Sequence, residues 1–255
     1  MTRQKLLLNA GALLFAFGLL AVWQALSDFG AISPVFFPPP SRAVSELASR
    51  LADGTAYPPI AATCLRMLFG WVFASILGIM LGAVIGSSRI GRDYLEPTLE
   101  FVRPLPASAI IPVAILFFGL TNQMSVFVIA FGAIWPVLLS SVYGFSSIQG
   151  RLQEVAAVLG LTRAEYLTKI AIPSAMPDIL SGVRVSLAIS LILAVVTEMQ
   201  ASLPGIGRDI FMAQRSFRSV DLYAGLIVLG VIGFTVNYAL LMFEKRALRW
   251  RNPYS

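Results

Sequence analysis

The chain is 255 residues long, 57% hydrophobic and only 13% charged, about half the charge of an ordinary soluble domain, which places it in a membrane. Its net charge of +6 would point a soluble protein towards nucleic acid. Here the basic residues flank apolar runs, so they set orientation in a bilayer and no nucleic-acid partner is expected.

There is no histidine, which excludes imidazole metal sites and Ser-His-Asp triads; no metal or catalytic residue is expected. A span needs about 20 mainly apolar residues to cross a ~30 Å hydrocarbon core. Six such stretches lie near 6–26, 60–87, 98–120, 124–146, 177–199 and 222–244. The first follows MTRQK and is longer than a signal-peptide core of roughly 7–15 residues, with no convincing A-x-A site after it. It reads as a retained span. Next comes FFPPPSRAVSELASRLADG (36–54), where the proline run cannot be helical and Ser41 is the expected N-cap of an amphipathic helix. The second span holds the single cysteine, Cys64, which reads as a small buried residue. It also carries Gly70, Ala74, Gly78, Gly82 and Gly86 at every fourth position. Such a ridge permits close helix packing or, alternatively, lines a path. The third span is weakened by Arg103, Pro104, Pro106 and Pro112, and the fifth by Arg184. Residues 200–221 mix apolar and basic side chains and are expected to form a short helix or re-entrant piece.

With the N-terminus inside, the inner segments hold eleven Lys and Arg residues against five outside, which favours both termini in the cytoplasm. The stretch 147–176 between spans four and five is then cytoplasmic. In it, RLQEVAAV (151–158) is built of helix formers, and Gly160 offers the left-handed position that closes a helix. Thr162-Arg-Ala-Glu165 fits a capping box, so a second short helix runs from about 163 to 169. Pro173 and Pro177 are expected to stop it and lead into the fifth span. An ordinary structured loop is one reading. The other is a docking knob, because a loop of about thirty residues with its own caps exceeds what a connector needs. The chain has no G-x-x-x-x-G-K-[ST], so it cannot supply a phosphate-binding loop of its own.

Ser186, Ser190 and Thr197 fall on one face of the fifth span. They either line a translocation path or satisfy their own helix and pack between helices. The charges Arg66, Arg103, Arg184 and Glu198 lie in or beside spans, where they are expected to be buried and paired or to attract an anionic solute. Arg66 and Glu198 should pair near the outer ends of spans two and five. Glu100, Arg103 and Arg184 should lie near the cytoplasmic face.

Glu154-x-Ala156-x-x-x-Gly160, followed after nine residues by Ile170-x-Ile172-Pro173, resembles the EAA motif of permeases in binding-protein-dependent ABC importers. Isoleucine replaces the usual leucine before the proline, and the run is Glu-Val-Ala rather than Glu-Ala-Ala. FFPPPS (36–41), FVRPLPASAIIPVAILFFGL (101–120), IPSAMPDILSGVRVSLAISLILAVVTEM (172–199) and LPGIG (203–207) are similar to stretches of the nitrate/sulfonate/taurine/bicarbonate branch. The resemblance implies an all-α polytopic protein of six transmembrane helices with the type I ABC importer (MetI-like) permease fold, a single permease domain over 1–255. It implies a homodimer in a bacterial inner membrane, with two ABC ATPase subunits below and a periplasmic solute-binding protein above. ATP and Mg would be bound by the ATPase, and this chain would hold no cofactor and catalyse nothing. Glu154, Ala156, Gly160 and Pro173 are the motif positions of the ATPase-coupling segment. Arg163, Glu165, Tyr166 and Lys169 join them from helical position and expected exposure. The implied solute is small and anionic: a sulfonate, taurine or nitrate. An importer of a pyrimidine-type vitamin precursor or aromatic carboxylate, or an ion-coupled secondary transporter, is the alternative.

Overall fold

The computed structural model describes residues 3–148 and 150–249, with some side chains left out. The elements in order are α1 (Arg3–Asp28), α2 (Pro40–Ala52), α3 (Tyr57–Ser87), α4 (Arg89–Val102), α5 (Ala107–Phe118) and α6 (Asn122–Ser146). There follow α7 (Gly150–Val158), α8 (Arg163–Tyr166), a π turn (Leu167–Ala171), α9 (Ile172–Ala201), α10 (Ile206–Arg215) and α11 (Ser219–Ala247). Among the described residues four helices are long and apolar enough to cross a membrane: α3, α6, a continuous helix Ala164–Ala201, and α11. In α1 the apolar described part is Leu14–Asp28. The side chains of Arg3 and Lys5, which contribute to the orientation count, lie outside what is described, as does Arg251.

The third expected span is not one helix. α4 and α5 meet at 89° across Arg103–Pro106, because Pro104 and Pro106 lack the N–H groups that would carry the helix on. Pro106 is extended at φ −67°, ψ 121°.

The chain forms two compact units, Met1–Ala61 with Pro204–Val231, and Ala62–Leu203 with Ile232–Ser255. In the first, Ser41 does not cap α2. The helix begins at Pro40, whose fixed φ suits a first helical position, after Pro39 with no side-chain cap. The Ser41 hydroxyl instead accepts from Gln24 Nε2 at 3.0 Å, and its N–H donates to Gln24 Oε1 at 3.1 Å, tying α1 to α2. Arg50 joins α2 to the start of α11 by a 2.6 Å ion pair with Asp221.

In the second unit α3, α6 and α9 pack closely. Gly82 lies against Ser141, where a Cβ would stand 2.3 Å from the serine Cβ, and Gly182 lies 2.6 Å in the same sense from the Pro136 carbonyl. The small-residue ridge of α3 therefore packs against α6, since no larger side chain fits between the backbones. Trp71 Nε1 donates to the Val183 carbonyl at 3.0 Å, fastening α3 to α9. By contrast α11 leaves Phe234 and Phe243 exposed, which lipid can cover.

Candidate functional site

The 150–171 segment is shaped by three local devices. α7 ends in a pair of hydrogen bonds around Gly160, from Gly160 N–H to Ala157 O at 3.1 Å and from Leu161 N–H to Ala156 O at 3.0 Å. This is a Schellman closure, and it requires the left-handed φ of +63° that Gly160 adopts. Next, Glu165 N–H donates to Thr162 Oγ1 at 3.3 Å while Thr162 N–H donates to Glu165 Oε2 at 3.1 Å, a reciprocal capping box that opens α8. Lys169 Nζ adds a 2.9 Å ion pair to Glu165. The hydrogen bond from Lys169, with those from Thr162, draws the Glu165 carboxyl down to about 2.

The third device is the π turn. Ile172 N–H donates to Leu167 O, five residues back, and Pro173 follows in the first turn of α9. A proline ring in an α-helix collides with the carbonyl four residues earlier, here that of Lys169. Widening the turn relieves the collision, so Pro173 and Pro177 do not stop the helix. Ala164–Ala201 runs on without a break, which corrects the expectation of a separate short helix ending before the span.

The motif residues are not all alike. Glu154 and Gly160 are exposed, Ala156 is buried and Pro173 is half-buried. Lys169 is exposed, but Tyr166, expected at the surface, is half-buried and packs against the core that holds Phe145, Ala171 and Ala175. The backbone of Arg163 opens α8, and its side chain lies outside the described residues. Beneath the segment lies a cavity of about 440 Å³ lined by Gly86, Phe145, Ala156, Leu161, Tyr166 and Ala171. Sequence reasoning dwelt on charges and missed an apolar row: Leu152, Val155, Val158 and Leu159 are exposed, Val158 at 88%. The 3–4 spacing of 152, 155 and 159 was the available signal.

A second polar centre is buried in the bundle. Arg66 NH1 pairs with Glu198 Oε1 at 2.7 Å, with side chains 7% and 0% exposed. Arg66 Nε donates to Asn122 Oδ1 at 2.8 Å, and Thr63 Oγ1 donates to Glu198 Oε2 at 3.0 Å. Ser125 and Thr197 share a 2.6 Å hydrogen bond beside it. A buried pair is tolerable only when such further bonds satisfy both ions. Asn122 and Thr63 carried no sequence signal, since neither is unusual beside a span.

The Ser/Thr face of α9 is fully buried. Ser190 donates to Ser186 O at 2.8 Å and Thr197 to Ala194 O at 2.9 Å. Ser190 and Thr197 thus bond to their own helix, since a hydroxyl in an apolar helix finds its nearest acceptor one turn back, whereas the Ser186 hydroxyl is buried with no hydrogen-bond partner among the described residues. Arg184 is half-buried and forms an ion pair with Glu244 of α11. Arg103, expected among the buried charges, is exposed at the α4–α5 bend, where the prolines turn the chain away from a straight span.

Residues 74–249 match the family described as binding-protein-dependent transport system inner membrane component. The chain is 31% identical to the putative aliphatic sulfonates transport permease protein SsuC of Bacillus subtilis, over 92% of this chain and 86% of that protein. It is 30% identical to the taurine transport system permease protein TauC of Escherichia coli, over 91% and 86%. An inward-facing structure of the MetNI methionine ABC transporter superposes with a TM-score of 0.66 at 15% identity, over 75% of this chain and 95% of that one; this likeness speaks to the fold. The chain therefore belongs to the binding-protein-dependent inner membrane components, the permease subunits of ABC importers, which work with an ATPase and a binding protein and are not themselves enzymes.

Proposed function

We propose that this chain is the translocating subunit of an ATP-driven importer for a small anionic solute of the sulfonate, taurine or nitrate class. Two copies form the path, each docking one ATPase through residues 150–171 on the cytoplasmic side, with both chain termini on that side. A soluble receptor delivers solute from the other face. Similarity to sulfonate and taurine permeases supports the solute class.

One observation carries the reading: the second part of the docking segment, from Ala164, and α9 are one helix, Ala164–Ala201. α7 offers the ATPase an apolar row with Glu154 beside it, and the capping box fixes how α8 leaves the surface. ATP and Mg, held by the ATPase, supply the driving chemistry. When the ATPase closes, its pull on α7 and α8 passes through the π turn into α9. The turn is a compliant joint, because its hydrogen bonds are poorer than α-helical ones. α6, packed on α9 at Gly132, Gly144 and Gly182, and α3, whose glycines pack on α6, then move with it. The cycle is a shift between conformations set by differential binding, with no bond chemistry in this chain.

The test is co-purification and uptake. Glu154→Arg, and separately Val158→Asp, should release the ATPase and abolish ATP-driven uptake in proteoliposomes while the permease still elutes as a folded dimer. Uptake that persists with no ATPase present refutes the proposal.

A further inference from the structure

Among the described residues three helices end in the same Schellman closure. After α1, Gly30 N–H donates to Ser27 O and Ala31 N–H to Leu26 O, and after α7 the same pair of bonds surrounds Gly160. After α10, Phe217 N–H donates to Gln214 O at 3.2 Å and Arg218 N–H to Ala213 O at 2.9 Å. The closure needs a left-handed residue, and the first two use glycine, at φ +71° and +63°. The third puts Phe217 there, at φ +54° and 71% exposed. Glycine would close the helix with less strain, and the ring gains little by burial within the chain. A backbone outlier of this kind points to a task for its side chain. We propose that the α10–α11 corner binds the headgroup of an anionic phospholipid, with Phe217 entering the bilayer and Arg215 and Arg218 holding the phosphate. The importer reading above supplies one premise, the orientation that sets this corner at the outer leaflet.

Position decides the occupant. Phe217 stands two residues before α11, a helix long and apolar enough to cross the membrane. The Ser219 hydroxyl donates to the Val35 carbonyl, which brings the 33–37 turn to the same corner. Ser27, near the end of α1, donates to the Phe37 carbonyl at 2.9 Å. Val35, Phe36 and Phe37 are exposed, as is Phe29, directly after α1, at 88%. Four phenylalanine rings thus gather beside the ends of α1 and α11, at the height where hydrocarbon gives way to headgroups. Exposed apolar patches mark protein or membrane contacts, and continuity with the span ends favours the membrane.

The same corner is basic. Arg215 lies over the Phe211 ring, 5.5 Å from its centre, which occupies the face of the guanidinium and leaves its N–H edge to a ligand. Arg218 stands 3.4 Å from Asp221, but Arg50 already holds that carboxylate at 2.6 Å. Both Arg215 and Arg218 are exposed, so their remaining donors can be reached. Phosphate oxygens accept such donors in pairs. Phosphatidylcholine would set its own cation against the two arginines, whereas phosphatidylglycerol brings none, so the anionic headgroup is preferred. A ring among the acyl chains and guanidiniums on the phosphate then fix the corner at the membrane surface.

The experiment places the permease–ATPase complex in nanodiscs of phosphatidylglycerol and phosphatidylcholine in equal parts, and native mass spectrometry counts the lipid it retains on release. Phosphatidylglycerol should be enriched, and Arg215→Gln and Arg218→Gln should each lower the enrichment about fivefold. Phe217→Gly should raise the thermal midpoint in lipid-free detergent by about 2–4 °C as the strain is relieved, while retained phosphatidylglycerol falls. Phe217→Ala keeps the strain and loses the ring, so it should lose lipid without that rise. A lower midpoint for Phe217→Gly shows that the ring is packing and overturns the proposal. Equal retention of the two lipids does so too. So does a loss of receptor affinity in lipid-free detergent on Phe217→Gly, which assigns the corner to the soluble receptor. Ser216→Cys in a Cys64→Ala background tests the orientation separately, with labelling of whole cells by an impermeant maleimide expected. Labelling only after permeabilisation overturns the outer-leaflet placement and the topology of the importer reading, while the lipid counts alone judge the headgroup site.

Discussion

Two acid–base pairs in this molecule have nearly the same length and opposite meaning. Arg66 and Glu198 meet at 2.7 Å inside the bundle with side chains 7% and 0% exposed, and Lys169 and Glu165 meet at 2.9 Å with side chains 61% and 41% exposed. In the bundle both charges have left water, and the attraction between them mainly offsets desolvation. The pair is therefore mandatory once either member is present, and it fixes the relative position of α3 and α9. On the 150–171 segment, solvent screens the charges, and such pairs add little stability. Charge is free there to be read by a partner. Interaction geometry alone does not say what a pair is for; the surrounding dielectric does.

The sharpest way to break this contrast is to remove one partner at each site. Arg66→Ala should cost about 3–5 kcal/mol by stranding Glu198, read as a large drop in the detergent-solubilised thermal midpoint. Arg66→Met/Glu198→Leu together should restore most of it. If the double variant is no better than the single, the pair contributes more than mutual neutralisation.

Glycine substitutions come next and separate crowding from strain. Gly82→Val places side chain where Ser141 already stands and should cost about 1–3 kcal/mol or more by overpacking. Gly160 has open space around it but a φ of +63°, so Gly160→Val should cost about 1–2 kcal/mol through the left-handed backbone alone. Hydrogen exchange should place the first loss across the whole bundle and confine the second to residues 150–171.

Pro173→Ala sharpens the comparison at the joint. It removes the ring that keeps Lys169 O from an α-helical bond, so the π turn should tighten. Stability should hold or rise slightly, while ATP hydrolysis per solute transported increases severalfold. Unchanged coupling would show that the joint transmits nothing.

Acid titration gives the smallest effect. The Glu165 carboxyl is drawn to about 2 by Lys169 and Thr162, below its unfolded value, so its contribution is whole above about pH 4.5 and lost as pH falls through about 2. Between those values the first turn of the helix from Ala164 should fray, visible as faster exchange at Thr162 N–H, which donates to that carboxyl, and at Glu165 N–H, which donates back to Thr162. Thr162→Ala should remove the same protection at neutral pH, at a cost of about 1 kcal/mol. Lys169→Ala should barely move stability.

Much of this was readable before any coordinates. The capping box and the closure at Gly160 each involve residues at most five apart, so backbone geometry alone ties them together. The pairing of Arg66 with Glu198 followed from the cost of lone charges in hydrocarbon. Their supporting partners, Asn122 and Thr63, did not, because nothing near them in sequence says which polar side chain will face which ion across the bundle. Ser41 shows a local rule being overridden: a good N-cap residue after prolines, it hydrogen-bonds to Gln24, seventeen residues back, once α1 lies alongside. Tyr166 and the α7 row were misjudged for a related reason. Which face of a short helix is exposed depends on where the neighbouring spans lie.

Apolar run length by itself determined a helical membrane protein, because it rests on composition alone, and the likeness of the motif at 154–173 to the EAA segment pointed to a permease before any coordinates. Tertiary packing decided that the α9 hydroxyls are buried, that Asn122 and Thr63 close the Arg66–Glu198 centre, and that Tyr166 turns inward. Those outcomes depend on which surfaces meet after folding, and contacts between residues far apart in sequence are fixed by close packing of whole helices.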